Sequence, residues 1–212
     1  MPVTDVDIAN MALGLLDEAP IDSLEDNHKA ARLVNLHYEL TREAELSKWA
    51  WVFAISRAEL EGTDIESGDG TLTYEYELPA DCLRLLPLTL NGEPDGLGIS
   101  WRQEEGHFYS DHSGPLKVRY IANLTDPNDW TALFTEVLVA ALASKIAHAL
   151  TNKGSMIEGA QAAYDRAVKR ALRTNALERG GALHVSSWLS ARGAFRSGYG
   201  ARSFHGAGGW WR

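Results

Sequence analysis

The side chains able to do chemistry in this 212-residue chain are few and scattered. Its seven histidines are His28, His37, His107, His112, His148, His184 and His205. None falls in an HExxH or HxH pattern, or at a zinc-site spacing from cysteine. His107 and His112, with Asp111 between them, share one expected hairpin. A weak metal or acid–base site is the sharp reading of that trio; an ordinary polar turn is the bland reading and the better supported one. Cys82 has no neighbouring histidine to deprotonate it, so packing at the start of a strand is expected rather than nucleophilic catalysis. No GxGxxG, GxxxxGKS/T or GxSxG phrase occurs. The glycine-rich run 200–209 lacks the lysine and the following helix of a phosphate loop. The carboxylate pairs Asp64/Glu66 and Glu104/Glu105 fall in expected loops, where such pairs are solvated surface. No catalytic residue, metal or cofactor is expected, and the chain is not read as an enzyme.

A different kind of chemistry collects at the C-terminal end. No acidic residue follows Glu178, and residues 180–212 carry four arginines, which leaves −13 for the rest of a chain whose net charge is −9. The same stretch holds Trp188, Phe195, Tyr199, Phe204, Trp210 and Trp211 in a background of glycine, serine and alanine that cannot form a core alone. Aromatics and arginine anchor interfaces. Trp188, Arg192, Phe195, Arg196, Tyr199, Arg202, Trp210 and Trp211 are therefore the candidate docking residues of an arm that orders on a partner. Binding nucleic acid by stacking through the basic tail is the alternative for that arm. The acidic body argues against ordinary duplex-DNA recognition.

The elements that must present this arm are helical at both ends of the body. Thr4 with Asp7 makes a cap, and Ile8, Met11, Ala12, Leu15 and Leu16 an apolar stripe that Pro20 closes. Ser23–Asp26 and Asn27 are expected to cap a second helix running to about Lys48, with Ala30, Val34, His37, Thr41 and Ala44 on one face and Leu33, Leu36 and Leu40 beside them. Trp49, Trp51 and Phe53 then anchor the helix end in a core. Residues 55–70 lose the helical period and carry turn glycines. Strands are expected at 71–78, 83–90 (with Pro87 at an edge or bulge), 99–103, 107–110 and 116–122. Asp129 is expected to open a long helix with Leu133, Phe134, Val137, Leu138, Ala141, Leu142, Ile146, Ala149 and Leu150 on its buried face. Gly154 is expected to end it, and Ser155 with Glu158 to cap a last amphipathic helix.

The expected fold class is mainly α with an inserted small antiparallel β module: a four-helix bundle body plus an extended C-terminal tail. Its parts are residues 1–54, the first helical half; 55–125, the β-rich insertion; 126–178, the helical hairpin that completes the bundle; and 179–212, the arm. Length suffices for a sizeable core, and the composition is that of a soluble globular protein. Residues 1–20 lack the basic region of a signal peptide. The most apolar stretch, 132–150, is interrupted by Glu136, Lys145 and His148, so no membrane span is expected.

Several phrases resemble one family. They are Ile8–Gly14; Ile21–Asp26 followed by Ala30, Ala31 and Tyr38; Trp49-Ala-Trp51-Val-Phe53-Ala54 with Arg57-Ala58-Glu-Leu60; Tyr76-Glu-Leu-Pro-Ala-Asp-Cys82-Leu-Arg84; and, in the helix from Trp130, Leu142–Ala147 with Leu150-Thr151. Over roughly residues 5–175 the chain resembles the head-to-tail adaptor proteins of tailed bacteriophages, of the tail tubular protein A type. The resemblance implies a structural virion protein: a ring, usually a dodecamer, bound beneath the portal protein. Such a ring extends the DNA channel, lets genomic DNA pass without sequence-specific binding, and seats the tail nozzle or tail tube. It places the chain in the virion neck, and in the host cytoplasm during assembly. The C-terminal segment of such proteins commonly reaches the portal, which makes the arm the expected portal contact. Another ring of the neck or tail tube is the related alternative.

Overall fold

The computed structural model describes residues 2–64, 72–89, 98–104, 106–151 and 153–179. Helix α1 spans Asp5–Gly14 and α2 spans Lys29–Lys48; a short 3-10 turn at Val52–Ala54 leads into the strands. These are β1 Ile55–Leu60, β2 Thr63–Asp64, β3 Tyr74–Glu77, β4 Cys82–Leu85, β5 Trp101–Glu104, β6 His107–Ser110 and β7 Leu116–Ala122. A 3-10 turn at Pro127–Asp129 precedes α3, Ala132–Leu150, and α4, Gly154–Glu178. Residues Met1–Glu178 form one compact unit. About half is helix and a fifth strand, so the architecture is mixed α and β rather than mainly α.

Helix α3 is the centre of the helical layer, with α1, α2 and α4 all packed on it. It buries Phe134, Val137, Leu138, Ala141, Leu142 and Ile146, as its period predicts, and also Val139, Ala140, Ala143 and Ala147, whereas Leu133 and Leu150 are only half-buried and Ala149 is exposed. By length and mean hydropathy alone it could cross a membrane, but its buried face packs against the other helices, as the core helix of a folded unit does. Helix α4 buries Ala160, Ala167, Ala171 and Asn175 and turns Asp165, Arg166, Lys169, Arg170 and Arg173 outward, as expected. Alanines on both helices allow the axes to approach closely.

The caps were only partly legible. Thr4 and Asp7 form the expected reciprocal box on α1. Pro20 does not end that helix. It closes earlier, where Glu18 N–H bonds to Leu13 C=O, Asp17 N–H bonds to Gly14 C=O, and Asp17 takes the left-handed conformation at φ 59°. Asp26 accepts from the backbone N–H groups of Asp22 and Ser23, so that segment organises its own turn; His28 caps α2 instead. Thr131, not Asp129, caps α3, because Asp126 first starts the 3-10 turn. Ser155 lies inside α4, which begins at Gly154, rather than ahead of it as a cap would.

Among the described residues, seven strands form two antiparallel sheets, where about five strands were expected. One has the order β1-β7-β4, the other β2-β3-β6-β5. Strand β1 was missed because Ile55–Leu60 mixes Arg57 and Glu59 with helix-forming residues; pairing of Ile55–Leu60 with Ile121–Leu116 fixes it. Strand β4 lies at a sheet edge with an irregular register at Cys82/Arg84, which suits Pro87 just beyond it. Glu104 pairs with His107, and Gly106 at φ 85° supplies the positive φ that so tight a turn needs. A second small core forms from Tyr76, Leu85, Leu88, Phe108, Leu116, Val118, Tyr120 and Ala122. Leu86 and Ile121 join the helical core instead, so the first sheet is shared between the two interiors.

Candidate interaction surfaces

The side chains weighed for chemistry mostly make local contacts of the β portion. His107 Nδ1 lies 3.5 Å from the Glu75 carboxylate across the β3–β6 pair. His112 gives its backbone N–H to Ser110 Oγ, and its carbonyl accepts from the Tyr76 hydroxyl. Asp111 accepts from Ser110 Oγ at 3.5 Å. Asp111 and His112 thus belong to a turn while His107 faces Glu75 across two strands, and among the described residues no three His, Cys, Asp or Glu side chains are grouped to hold a metal ion. Burial, and then the nearby Asp81 carboxylate, push the Cys82 thiol above its usual range, the opposite of what a nucleophile needs. Asp64 and Glu104 are exposed on short strands, while Glu66 and Glu105 lie outside the described residues.

Sequence reasoning missed three buried polar nodes. Arg42, 2% exposed, donates Nη1 to Asn123 Oδ1 and to Leu124 C=O, both at 2.7 Å, and its Nε to Glu39 at 3.2 Å. A buried guanidinium is tolerable only when its donors are satisfied, and here they tie α2 to the end of β7. Glu45, also buried, meets Lys48 and the Tyr164 hydroxyl, linking α2 to α4. Burial works against the Lys48 ammonium, but hydrogen bonds to Glu45 and Tyr164 outweigh it and its pKa rises. Asn175 of α4 accepts from Val52 N–H at 2.8 Å and donates to Ala50 C=O at 3.0 Å, clamping the chain on either side of Trp51. A hydropathy pattern assigns Arg42, Glu45 and Asn175 to the surface, so only the fold reveals them.

The phrases behind the family resemblance sit at these same joints. Trp51 is buried, its indole N–H bonded to Glu45 C=O at 2.9 Å and its ring edge-on to Phe134 at 5.3 Å. Phe53 and Trp130 pack on Phe134 at 5.2 and 5.5 Å. Trp49 departs from expectation: it is 40% exposed and anchors nothing in the core. In the Leu78–Arg84 phrase, Cys82 N–H bonds back to Pro79 C=O, and Asp81 accepts from the Tyr120 hydroxyl at 3.0 Å.

The outward faces are the remaining candidates for function. Leu36 and Leu40, expected beside the buried face of α2, are 66% and 65% exposed and point opposite to Val34, Tyr38 and Glu45. Met11 and Leu15, expected inside, are also about half exposed on α1; Ala9 and Leu13 take their places in the core. Trp188, Arg192, Phe195, Arg196, Tyr199, Arg202, Trp210 and Trp211 of the arm lie outside the described residues. No protein-family model matches the chain, and a search of curated proteins finds no match.

Proposed function

We propose that this chain is a subunit of a phage head-to-tail adaptor ring that binds beneath the portal, extends the DNA channel and seats the tail. The observation that carries the reading is the presence on one chain of the aromatic phrase Trp51–Leu60 and the Leu78–Arg84 turn, in a helix–sheet–helix order. In its support, both phrases form joints between helices and strands, and the helices leave apolar spots exposed. Exposed apolar spots rimmed by polar residues mark association surfaces. On this reading the four helices form a bundle that packs side by side around the channel. Many copies of a modest contact then hold the ring. The net negative charge keeps DNA from sticking as it slides. Trp188, Arg192, Phe195, Arg196, Tyr199, Arg202, Trp210 and Trp211 dock on the portal, and no catalysis is involved.

Native mass spectrometry of the chain with the portal of the same virus tests this. One portal ring gaining a full ring of chains is the expected result. A folded chain that forms no complex would move the assignment to another ring of the neck or tail tube. Truncation after Gly180 is expected to abolish portal binding while the helical circular dichroism persists. Undiminished binding would remove the arm from the contact.

A further inference from the structure

Two outward helix faces carry opposite charge, and each has an apolar spot within it. Residues 1–28 contain seven acids and no lysine or arginine. Asp7 and Met11 lie on one outward side of α1 with the C-cap Leu15 in line, and exposed Asp17, Asp22 and Glu25 continue it through the following loop. None of the seven acids makes an ion pair among the described residues. On α4, Arg166, Lys169, Arg170, Arg173 and the 83% exposed Leu177 point away from Ala160, Ala167 and Ala171. Of those four cations only Arg170 is paired among the described residues, with Glu136 at 3.0 Å. Both helices pack on α3 and share no sizeable contact with each other. One molecule therefore cannot bring its basic face to its own acidic face.

We infer that the α4 face of one copy docks on the α1 face and acidic loop of the next. The occupant is a second copy of this chain, chosen by charge complementarity and by the exposed Met11, Leu15 and Leu177 within the two faces. Because the two faces differ, the contact is head to tail and leaves a free face at each end, an arrangement that makes a ring where the rotation between copies closes and an open filament where it does not. The inference rests on the ring reading for its biological setting and deepens it by naming the surfaces that touch. Leu36 and Leu40 of α2 take no part in this contact.

Sedimentation velocity of the full chain over a range of concentrations is the test. Wild type is expected to self-associate at about 0.05 M salt and to weaken at about 0.5 M, because exposed charges are screened. The α4 variant Arg166→Glu/Arg173→Glu and the loop variant Asp22→Lys/Glu25→Lys are each expected to weaken association at least about tenfold. All four positions are exposed, and circular dichroism checks that both variants stay folded. Mixing the two variants is expected to restore association, since each reversed face then meets a complementary one. A wild type that stays monomeric at every concentration would overturn the contact, as would variants that associate like wild type. The portal experiment separates the two proposals: a portal that loads wild type and the α4 variant equally keeps the adaptor reading and removes this contact.

Discussion

In the helical layer, Phe134 is enclosed by Trp51, Phe53 and Trp130, and the seam between α3 and α4 is lined with buried alanines. In the β portion the interior is narrow: Tyr76 stacks on Phe108 with ring centroids 4.7 Å apart and planes 7° from parallel, and strands β2 and β5 are exposed along their whole length. The helical interior spreads its contacts over four helices, whereas the second one depends on a single stacked pair and its immediate neighbours. Arg42 joins the two regions through Asn123 and Leu124. A wide interior and a narrow one, coupled by a polar joint, respond differently to the loss of one ring.

Phe134→Ala is expected to lower stability by about 3–5 kcal/mol, as large-to-small changes at fully buried aromatics do. The whole unit should respond, with urea unfolding by circular dichroism and by tryptophan fluorescence shifting together. Phe108→Ala removes a ring of similar size but is expected to act locally. Amides of β3 and β6 lose hydrogen-exchange protection while those of α3 keep it. Equal loss of protection in α3 would break the comparison and show that the two interiors unfold as one.

Alkaline pH sharpens the same contrast. Burial first, and then the hydrogen bond to Asp5 at 2.7 Å, push the Tyr38 phenol far above its usual value. Burial also raises Tyr76 and Tyr120 in the β portion, and Tyr120 is raised further by its hydrogen bond to Asp81. A folded-state pKa above the unfolded one means that unfolding releases a proton. That stability is fully present below the unfolded value of about 10 and is lost as pH rises toward the folded value. Tyr38→Phe is expected to cost about 0.5–1.5 kcal/mol at neutral pH through the lost hydrogen bond, and to flatten the alkaline slope of stability. A slope equal to that of wild type would move the alkaline sensitivity away from Tyr38, to Tyr164 of α4 or to the tyrosines of the β portion.

How far the sequence revealed this molecule depends on what each residue had to report. Helices α3 and α4 were legible because their apolar positions repeat along one face, and β6 and β7 because turns bracket short alternating runs. Helix α2 carries two stripes, one through Ala30, Val34 and Thr41 and another through Leu33, Leu36 and Leu40; periodicity cannot say which turns inward. The fold buries the first and fills its lower half with Arg42 and Glu45, polar residues that a hydropathy count places outside. Strand β1 owes its form to β7, a partner about sixty residues away, and so has no local signature. The two opposed charged faces were half visible: α4 showed its arginines, but nothing in the sequence says that α1 and α4 lie on separate flanks of α3. The arm was read from composition alone.

The smallest expected effect is also the most local. Among the described residues each region has one with positive φ: Gly106 in the β portion and Asp17 in the helical layer. Asp17 has no side-chain hydrogen bond or ion pair among the described residues, and its carboxylate sits where α1 ends, beside the negative end of the helix dipole. Asp17→Gly removes both the strain of a side chain in the left-handed region and the unfavourable charge. The gain is offset in part by the greater freedom of glycine in the unfolded chain. A net stabilisation of about 0.5–1 kcal/mol is expected, a rise in Tm of about 1–3 °C by calorimetry. Asp17→Asn isolates the charge from the backbone, since asparagine also tolerates this conformation. If Asp17→Asn alone gives the whole gain, the strain at α1's end is negligible, and the helical layer closes its turn as cheaply with a side chain as the β portion does without one.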